Sequence, residues 1–226
     1  MADPIEGKVV CDSKESMQTL LGNYSINSGY NSTDVNKMIK HPFPGEEIVD
    51  IGKWIKIESA FIYVGLGWNI QKGFTFDLDA SILTFDNKNN ILDIVYHLNL
   101  ESKNGSIIHK GDNKTGEGEG DDEILSIDFR KLDNNVATIA VIVNSFKGNS
   151  LVNIIDGFIR IYDSDRPIGV NILENCPDCV GLFLGLFRKK EKIWYFQACK
   201  ESIKGTIATD SVNDVKALLN KYELKI

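Results

Sequence analysis

The stretch Ser81-Ile-Leu-Thr-Phe-Asp-Asn-Lys-Asn-Asn-Ile-Leu-Asp-Ile-Val-Tyr-His-Leu98 decides the fold class. Its two ends are crowded with β-branched and aromatic residues, which suit a pleated, half-buried surface. Between them lie five residues of Asp, Asn and Lys, the chemistry of a hairpin turn. Strands are expected at Ser81 to Phe85 and at Ile91 to Leu98. The same texture recurs outward in both directions, at Trp54 to Glu58, Ala60 to Val64, Ile124 to Phe129, Val136 to Val143, Phe158 to Tyr162, Gly181 to Phe187 and Ile193 to Cys199. Polar clusters such as Ser102-Lys-Asn-Gly105 separate them. Many short strands with few helical periods point to a mainly β, two-sheet sandwich. One helix is expected at the C-terminal end, where Val212, Val215, Leu218, Leu219 and Tyr222 share a stripe behind Ser211 as cap.

Ahead of this β region the chain reads differently. Asp12 to Leu21 has the pattern of a short helix, Gly22 to Lys37 is rich in Asn, Ser and Gly, and His41-Pro-Phe-Pro-Gly45 breaks any regular element. Residues 1–47 are therefore expected to be an N-terminal extension, and residues 48–226 one sandwich domain. With 226 residues and 42% hydrophobic content the chain can bury a substantial core. No apolar run reaches the roughly 18 residues of a membrane span, and the first residues lack the basic and apolar regions of a secretory signal. Four cysteines are too few for a disulfide scaffold. A cytoplasmic protein with no transmembrane segment is expected. The net charge of −7 argues against nucleic acid and anionic lipid as partners.

The distribution of charge is more informative than its total. From Asp112 to Glu123 run six acids, Asp112, Glu117, Glu119, Asp121, Asp122 and Glu123, against the single base Lys114. Gly116, Gly118 and Gly120 alternate with them, and glycine lets backbone carbonyls turn inward. Upstream, Phe76-Asp-Leu-Asp-Ala-Ser81 places Asp77 and Asp79 two apart, on the same side of a strand. Carboxylates with freed carbonyls are the ligands of Ca²⁺, which takes six to eight oxygens in flexible geometry. If the two segments meet, eight carboxylates exceed what one ion recruits, and two sites follow.

Other readings of the loop differ in their letters. An EF-hand needs Asp or Asn at its third position and Gly at its sixth, where this chain has Lys114 and Glu117. A P-loop needs a lysine where Glu117 stands, and the acids would repel phosphate. A solvated acidic turn remains the plain alternative to a cation site.

These motifs resemble the TerD (tellurium resistance, stress-response) family. The resemblance rests on Val64-Gly-Leu-Gly-Trp68, Phe76-Asp-Leu-Asp-Ala-Ser81, Asn104-Gly-Ser106 and the run from His109 to Glu123. It continues in Gly157-Phe-Ile-Arg-Ile161, Trp194 with Phe196, and the closing Tyr-Glu-Leu-Lys-Ile tail. It implies a TerD-type β-sandwich binding two Ca²⁺ ions through the two acidic segments. Asp77, Asp79, Asp112, Glu117, Glu119, Asp121, Asp122 and Glu123 would supply carboxylates, and Asn113 and Gly116 side-chain or backbone oxygens. The chain departs from the family pattern at Asn69, at His97-Leu-Asn-Leu100 and at Asn171-Ile-Leu-Glu174.

The functional expectation is a calcium-binding module whose loops order on cation binding and then dock another protein of a stress-response complex. The alternative is a metal-dependent switch or enzyme acting on a small molecule or cyclic nucleotide, since the family includes a slime-mould cAMP-binding protein and two metals can clamp phosphate oxygens. No residue constellation for turnover is present, so no catalytic residue is expected. Cys176-Pro-Asp-Cys179 has the spacing of half a zinc site or a redox pair, but no further ligands stand at partner spacing, and an inert turn is expected. His109 is expected to hydrogen-bond a ligand carboxylate, His97 to be a satisfied core residue, and Trp54, Trp68 and Trp194 to be core anchors.

Overall fold

The computed structural model describes residues 50–70, 76–116, 120–163, 167–173 and 176–222. The expected leader, Glu117, Glu119, Glu174 and the last four residues lie outside the described residues. Among the described residues, eleven strands and one α-helix follow in order: β1 (Trp54–Ile57), β2 (Phe61–Ile70), β3 (Leu78–Phe85), β4 (Ile91–Val95), β5 (Ile107–His109), β6 (Glu123–Asp128), β7 (Thr138–Ser145), β8 (Ile154–Tyr162), β9 (Pro167–Ile172), β10 (Gly181–Lys190), β11 (Ile193–Ile203) and α1 (Val212–Leu219). They form a six-stranded sheet, β1-β11-β10-β7-β3-β4, and a five-stranded sheet, β5-β6-β2-β8-β9. The pairings between strands are all antiparallel. The two-sheet, mainly β architecture with a C-terminal helix is the one the sequence pattern implies.

The principal core lies between the sheets. Ile62, Val64 and Leu66 of β2 and Leu125 and Ile127 of β6 meet Leu78, Ala80 and Ile82 of β3 and Val141 and Val143 of β7. A second core covers the outer face of the six-stranded sheet, where Leu83, Phe85, Ile142 and Phe183 pack against Val215 and Leu219 of α1. Strand β3 is thereby covered on both faces, and all eight of its residues are buried. A strand covered on both faces reads as a continuous apolar run rather than an alternation. Trp68 and Trp194 are buried in the inter-sheet core, and Trp54 packs against the second.

Four differences from the expected elements bear on the site. Strand β2 runs on from Val64 to Ile70 through Gly65 and Gly67. A side chain at Gly65 would collide with the Asp121 carboxylate, and one at Gly67 with the Phe158 ring, so the glycines admit close neighbours rather than ending the strand. Strand β4 stops at Val95, because Tyr96 and Asn99 exchange backbone hydrogen bonds of 3.0 and 2.9 Å and turn the chain out. The edges of the smaller sheet, β5 and β9, carry weak sequence signals: one is three residues long and the other begins with Pro167. Ser211 does not cap α1 through its side chain. Its hydroxyl is instead drawn into the sheet, accepting from Asn144 Nδ2 at 2.9 Å and donating to the Ile207 carbonyl at 3.0 Å. Among the described residues, no helix is long and apolar enough to cross a membrane.

Candidate metal centre

The early end of β4 leaves the edge of β3 uncovered, since the last β3–β4 pair is Ile82 with Val95. The acidic connection between β5 and β6 fills that edge. Glu123 Oε2 accepts the Ala80 backbone N–H at 2.7 Å, the ladder bond that β4 does not make. Asp79, inside β3, and Asp77, just before it, thus face a loop that starts at Asp112.

Asp77, Asp79 and Asp112 bring one carboxylate oxygen each to within 4.8 Å of one another. That span is close to twice the roughly 2.3–2.6 Å Ca²⁺–oxygen distance, so the three oxygens fit around a single ion. Asp79 is only 3% exposed, and its Oδ2 has no hydrogen-bond partner among the described residues. Its Oδ1 lies 2.8 Å from His97 Nδ1. Burial, then the charges of Glu123, Asp77 and Asp112, push the Asp79 carboxyl up to about 8. Burial and Asp112 also raise Asp77, against the opposing pull of Lys147, Lys114 and His97. A buried carboxylate oxygen with no donor is costly unless a cation meets it, and these donors are all hard oxygens.

The remaining acids have other work. Asp121 is fully buried, with Oδ1 3.1 Å from Arg160 Nε and Oδ2 accepting from the Tyr162 hydroxyl at 2.9 Å. Asp122 Oδ2 accepts the Trp68 backbone N–H at 2.9 Å and Oδ1 accepts from Asn113 Nδ2 at 3.2 Å. Glu123 takes the Ala80 N–H and, through Oε1, the Asn113 N–H at 3.3 Å. His109 stands beside it, with Nε2 3.5 Å from Oε2, while its Nδ1 accepts the Gly111 N–H at 3.2 Å. Burial nonetheless raises the Glu123 carboxyl. Asn113 Oδ1 is engaged by the backbone N–H groups of Thr115 and Gly116 at 3.1 and 3.2 Å. Gly116 has the left-handed φ of 62°, and a Cβ there would enter the Trp68 indole.

So of the ten residues the sequence nominates, Asp77, Asp79 and Asp112 come together. Asp121, Asp122, Glu123, Asn113 and Gly116 form the frame around them, and Glu117 and Glu119 lie outside the described residues. His109 is where the sequence reading puts it, beside a loop carboxylate. His97 is largely buried, its side chain 8% exposed, but it meets Asp79 rather than the inter-sheet core, because β4 ends before it. Arg160 was not singled out as a site residue, although its signal is plain. A lone arginine between Phe158 and Tyr162 in an apolar strand shares their face and needs an acid. Its guanidinium lies 4.3 Å from the Phe158 ring centroid. Cys176 and Cys179 are free thiols, the first buried with its Sγ 2.9 Å from the Leu173 carbonyl.

The TerD domain model matches residues 52–210, most of the chain and all of the site. The chain belongs to the TerD family. It is 30% identical over 166 residues to tellurium resistance protein TerZ of Serratia marcescens, covering 68% of this chain and 86% of that protein. It is 28% identical over 160 residues to general stress protein 16U of Bacillus subtilis, covering 65% and 83%. The crystal structure of a telluride resistance protein (TerD) homologue from Streptomyces coelicolor superposes with a TM-score of 0.61 at 15% identity, covering 67% of this chain and 95% of that one. The TerD fold and the resistance and stress-response kinship therefore coincide with the acidic frame described above.

Proposed function

We propose that this TerD-family chain is a calcium-binding module of a stress response, with one ion held by Asp77, Asp79 and Asp112. The observation that carries the reading is the buried, donor-free Oδ2 of Asp79 beside two further carboxylates. Three carboxylate oxygens leave several of the six to eight Ca²⁺ positions open, for carbonyls, water or an external oxygen ligand. The second ion that the family resemblance implies would have to draw on Glu117 and Glu119, because Asp121, Asp122 and Glu123 are engaged by the protein.

The chain's own residues set the behaviour. Without a cation, Asp112 opposes the ionisation of Asp77 and Asp79, and the loop is held by bonds of Asn113, Asp121, Asp122 and Glu123. Cation binding would remove that repulsion and stabilise the fold by linkage, by about 2.7 kcal/mol at a hundredfold excess over Kd. The resistance and stress names of the relatives accord with a binding role.

The test is calorimetric titration of Ca²⁺ into chelator-stripped protein in about 0.1 M salt with excess Mg²⁺, which competes at sites without Ca²⁺-suited geometry. Specific heat is expected, with affinity reduced about tenfold or more in Asp79→Asn and Asp112→Asn. Saturation at one ion supports the trio alone, and saturation at two brings in Glu117 and Glu119. Absence of specific heat would overturn the reading.

A further inference from the structure

Cys176-Pro-Asp-Cys179 lies in the β9–β10 connection and takes no part in the acidic site. Residues three apart on an extended strand point to opposite faces. Here the chain bends at Asp178, and both thiols reach the same apolar cluster: Cys176 belongs to the inter-sheet core, and Cys179 packs against that core. Neither is in a disulfide. Burial raises the Cys176 thiol, Lys200 opposes the rise, and Cys179 is near enough to add to it. Among the described residues no third histidine, cysteine or carboxylate ligand joins the pair, so these residues do not close a zinc site.

The two thiols differ in access. Cys176 is 5% exposed, whereas Cys179 is half-buried. The backbone around Cys179 is pinned from the β7–β8 connection. Leu151 N–H donates to the Cys179 carbonyl at 2.8 Å, the Ser150 hydroxyl to Asp178 Oδ1 at 2.6 Å, and Ser145 N–H to the Val180 carbonyl at 2.8 Å. Pro177 fixes one further backbone angle. A bond between the two sulfurs would close a loop of only four residues, which constrains the unfolded chain little. That favours a reversible disulfide over a structural one. Cys199 is the contrast within the same chain: it is fully buried, and burial pushes its thiol up to about 12.

We propose that Cys176 and Cys179 form a two-electron redox site that reduces a hydroperoxide and closes to a disulfide. Cys179, the accessible thiol, gives its proton to solvent, and the thiolate attacks the terminal peroxide oxygen. An S–O bond forms, the O–O bond breaks, and the departing oxygen takes up a proton and leaves as water or an alcohol. Cys179 is then a sulfenic acid. Cys176 attacks its sulfur, the S–S bond forms, the S–O bond breaks, and hydroxide leaves as water with the proton that Cys176 gives up. Both electrons come from the sulfurs, and an external thiol reopens the bridge by exchange. Burial suits Cys176 to the second step, since it meets the sulfur of Cys179 rather than the oxidant in solution. The site is independent of the calcium reading.

The experiment adds hydrogen peroxide to the full chain carrying Cys11→Ser, which keeps Cys176, Cys179 and Cys199 as its thiols. After quenching, the protein is unfolded in urea, labelled with a maleimide and weighed intact. The proposal expects label on Cys199 alone and a mass lower by two hydrogens, with all three thiols labelled once dithiothreitol precedes the maleimide. In Cys176→Ser the reaction should stop at a Cys179 sulfenic acid that dimedone traps. Chain already unfolded in urea when the peroxide is added should close the bridge at least about tenfold more slowly, because the bend no longer holds the sulfurs together. Three labelled thiols after peroxide would overturn the proposal, as would a disulfide between two chains through Cys179. A bridge that closes equally fast in the unfolded chain would also overturn it, since the fold would then contribute nothing. These mass measurements leave the pair intact, so they decide the matter even if Cys176→Ser does not fold.

Discussion

The acidic segments divide into two regions of the same residue type and opposite fate. Asp121, Asp122 and Glu123 are all at most 1% exposed, and each is met by donors from the protein: Arg160 and Tyr162, the Trp68 N–H and Asn113, the Ala80 N–H. Asp77, Asp79 and Asp112 bring their carboxylate oxygens together instead, met by Lys114 and His97 at the side, and Asp79 keeps a buried oxygen with no donor among the described residues. The difference teaches that a carboxylate's sequence neighbourhood says little about whether it is structural or vacant for a ligand. What decides is which strand ends near it. The Glu123 limb lies along strand edges rich in N–H groups, whereas the Asp79 limb faces the gap where β4 has turned away.

The comparison breaks most visibly at the closed limb. Arg160→Met should destabilise the protein by about 3–5 kcal/mol, because it leaves Asp121 charged and buried without its partner. Denaturant midpoints should show the loss with and without Ca²⁺. A loss that Ca²⁺ rescues would mean that Asp121 belongs to the open limb after all. Next in size is Gly65→Ala. The added methyl would collide with the same Asp121 carboxylate, and overpacking of this kind costs about 1–3 kcal/mol. Urea unfolding of the metal-free protein measures it, and a cost near zero would mean that Asp121 can leave its place against β2 freely.

Much of this arrangement can be read in the residues beforehand. The hairpin from Ser81 to Leu98 and the stripe of α1 announce a sandwich with a helix, because their apolar patterning is set by burial against a neighbour. The acidic loop announces itself by charge. What the letters could not reveal is the partition of the acids, because it depends on long-range pairings: Asp121 with Arg160, 39 positions later in the chain, and Ala80 with Glu123, 43 positions apart. The role of His97 was hidden for the same reason, since it follows from β4 ending at Val95 rather than at Leu98. The expected strand ends at Val64, whereas Gly65 and Gly67 continue it as the positions where Asp121 and Phe158 approach the backbone.

The smallest effect is the sharpest test, because it predicts a change of sign. Asp79→Asn keeps the shape of the side chain, leaves an oxygen for His97 and gives Asp77 and Asp112 an amide donor. It removes a carboxyl whose ionisation burial and three acidic neighbours disfavour, pushing it up to about 8, so that the folded chain bears the cost of keeping it protonated at neutral pH. In chelator at neutral pH the variant should be more stable than the native chain by about 1–2 kcal/mol, the desolvation cost of a buried group without its hydrogen bond. In saturating Ca²⁺ the order should reverse, because the native chain gains linkage energy that the variant largely forgoes. The corresponding change in the closed limb, Asp121→Asn, should destabilise in both conditions, since it weakens the bond to Arg160 whatever occupies the site. Thermal melts of the two variants in chelator and in Ca²⁺ make the comparison. Asp79→Asn that destabilises in chelator would show that its carboxylate serves the apo fold, as Asp121 does, and the distinction between the limbs would collapse.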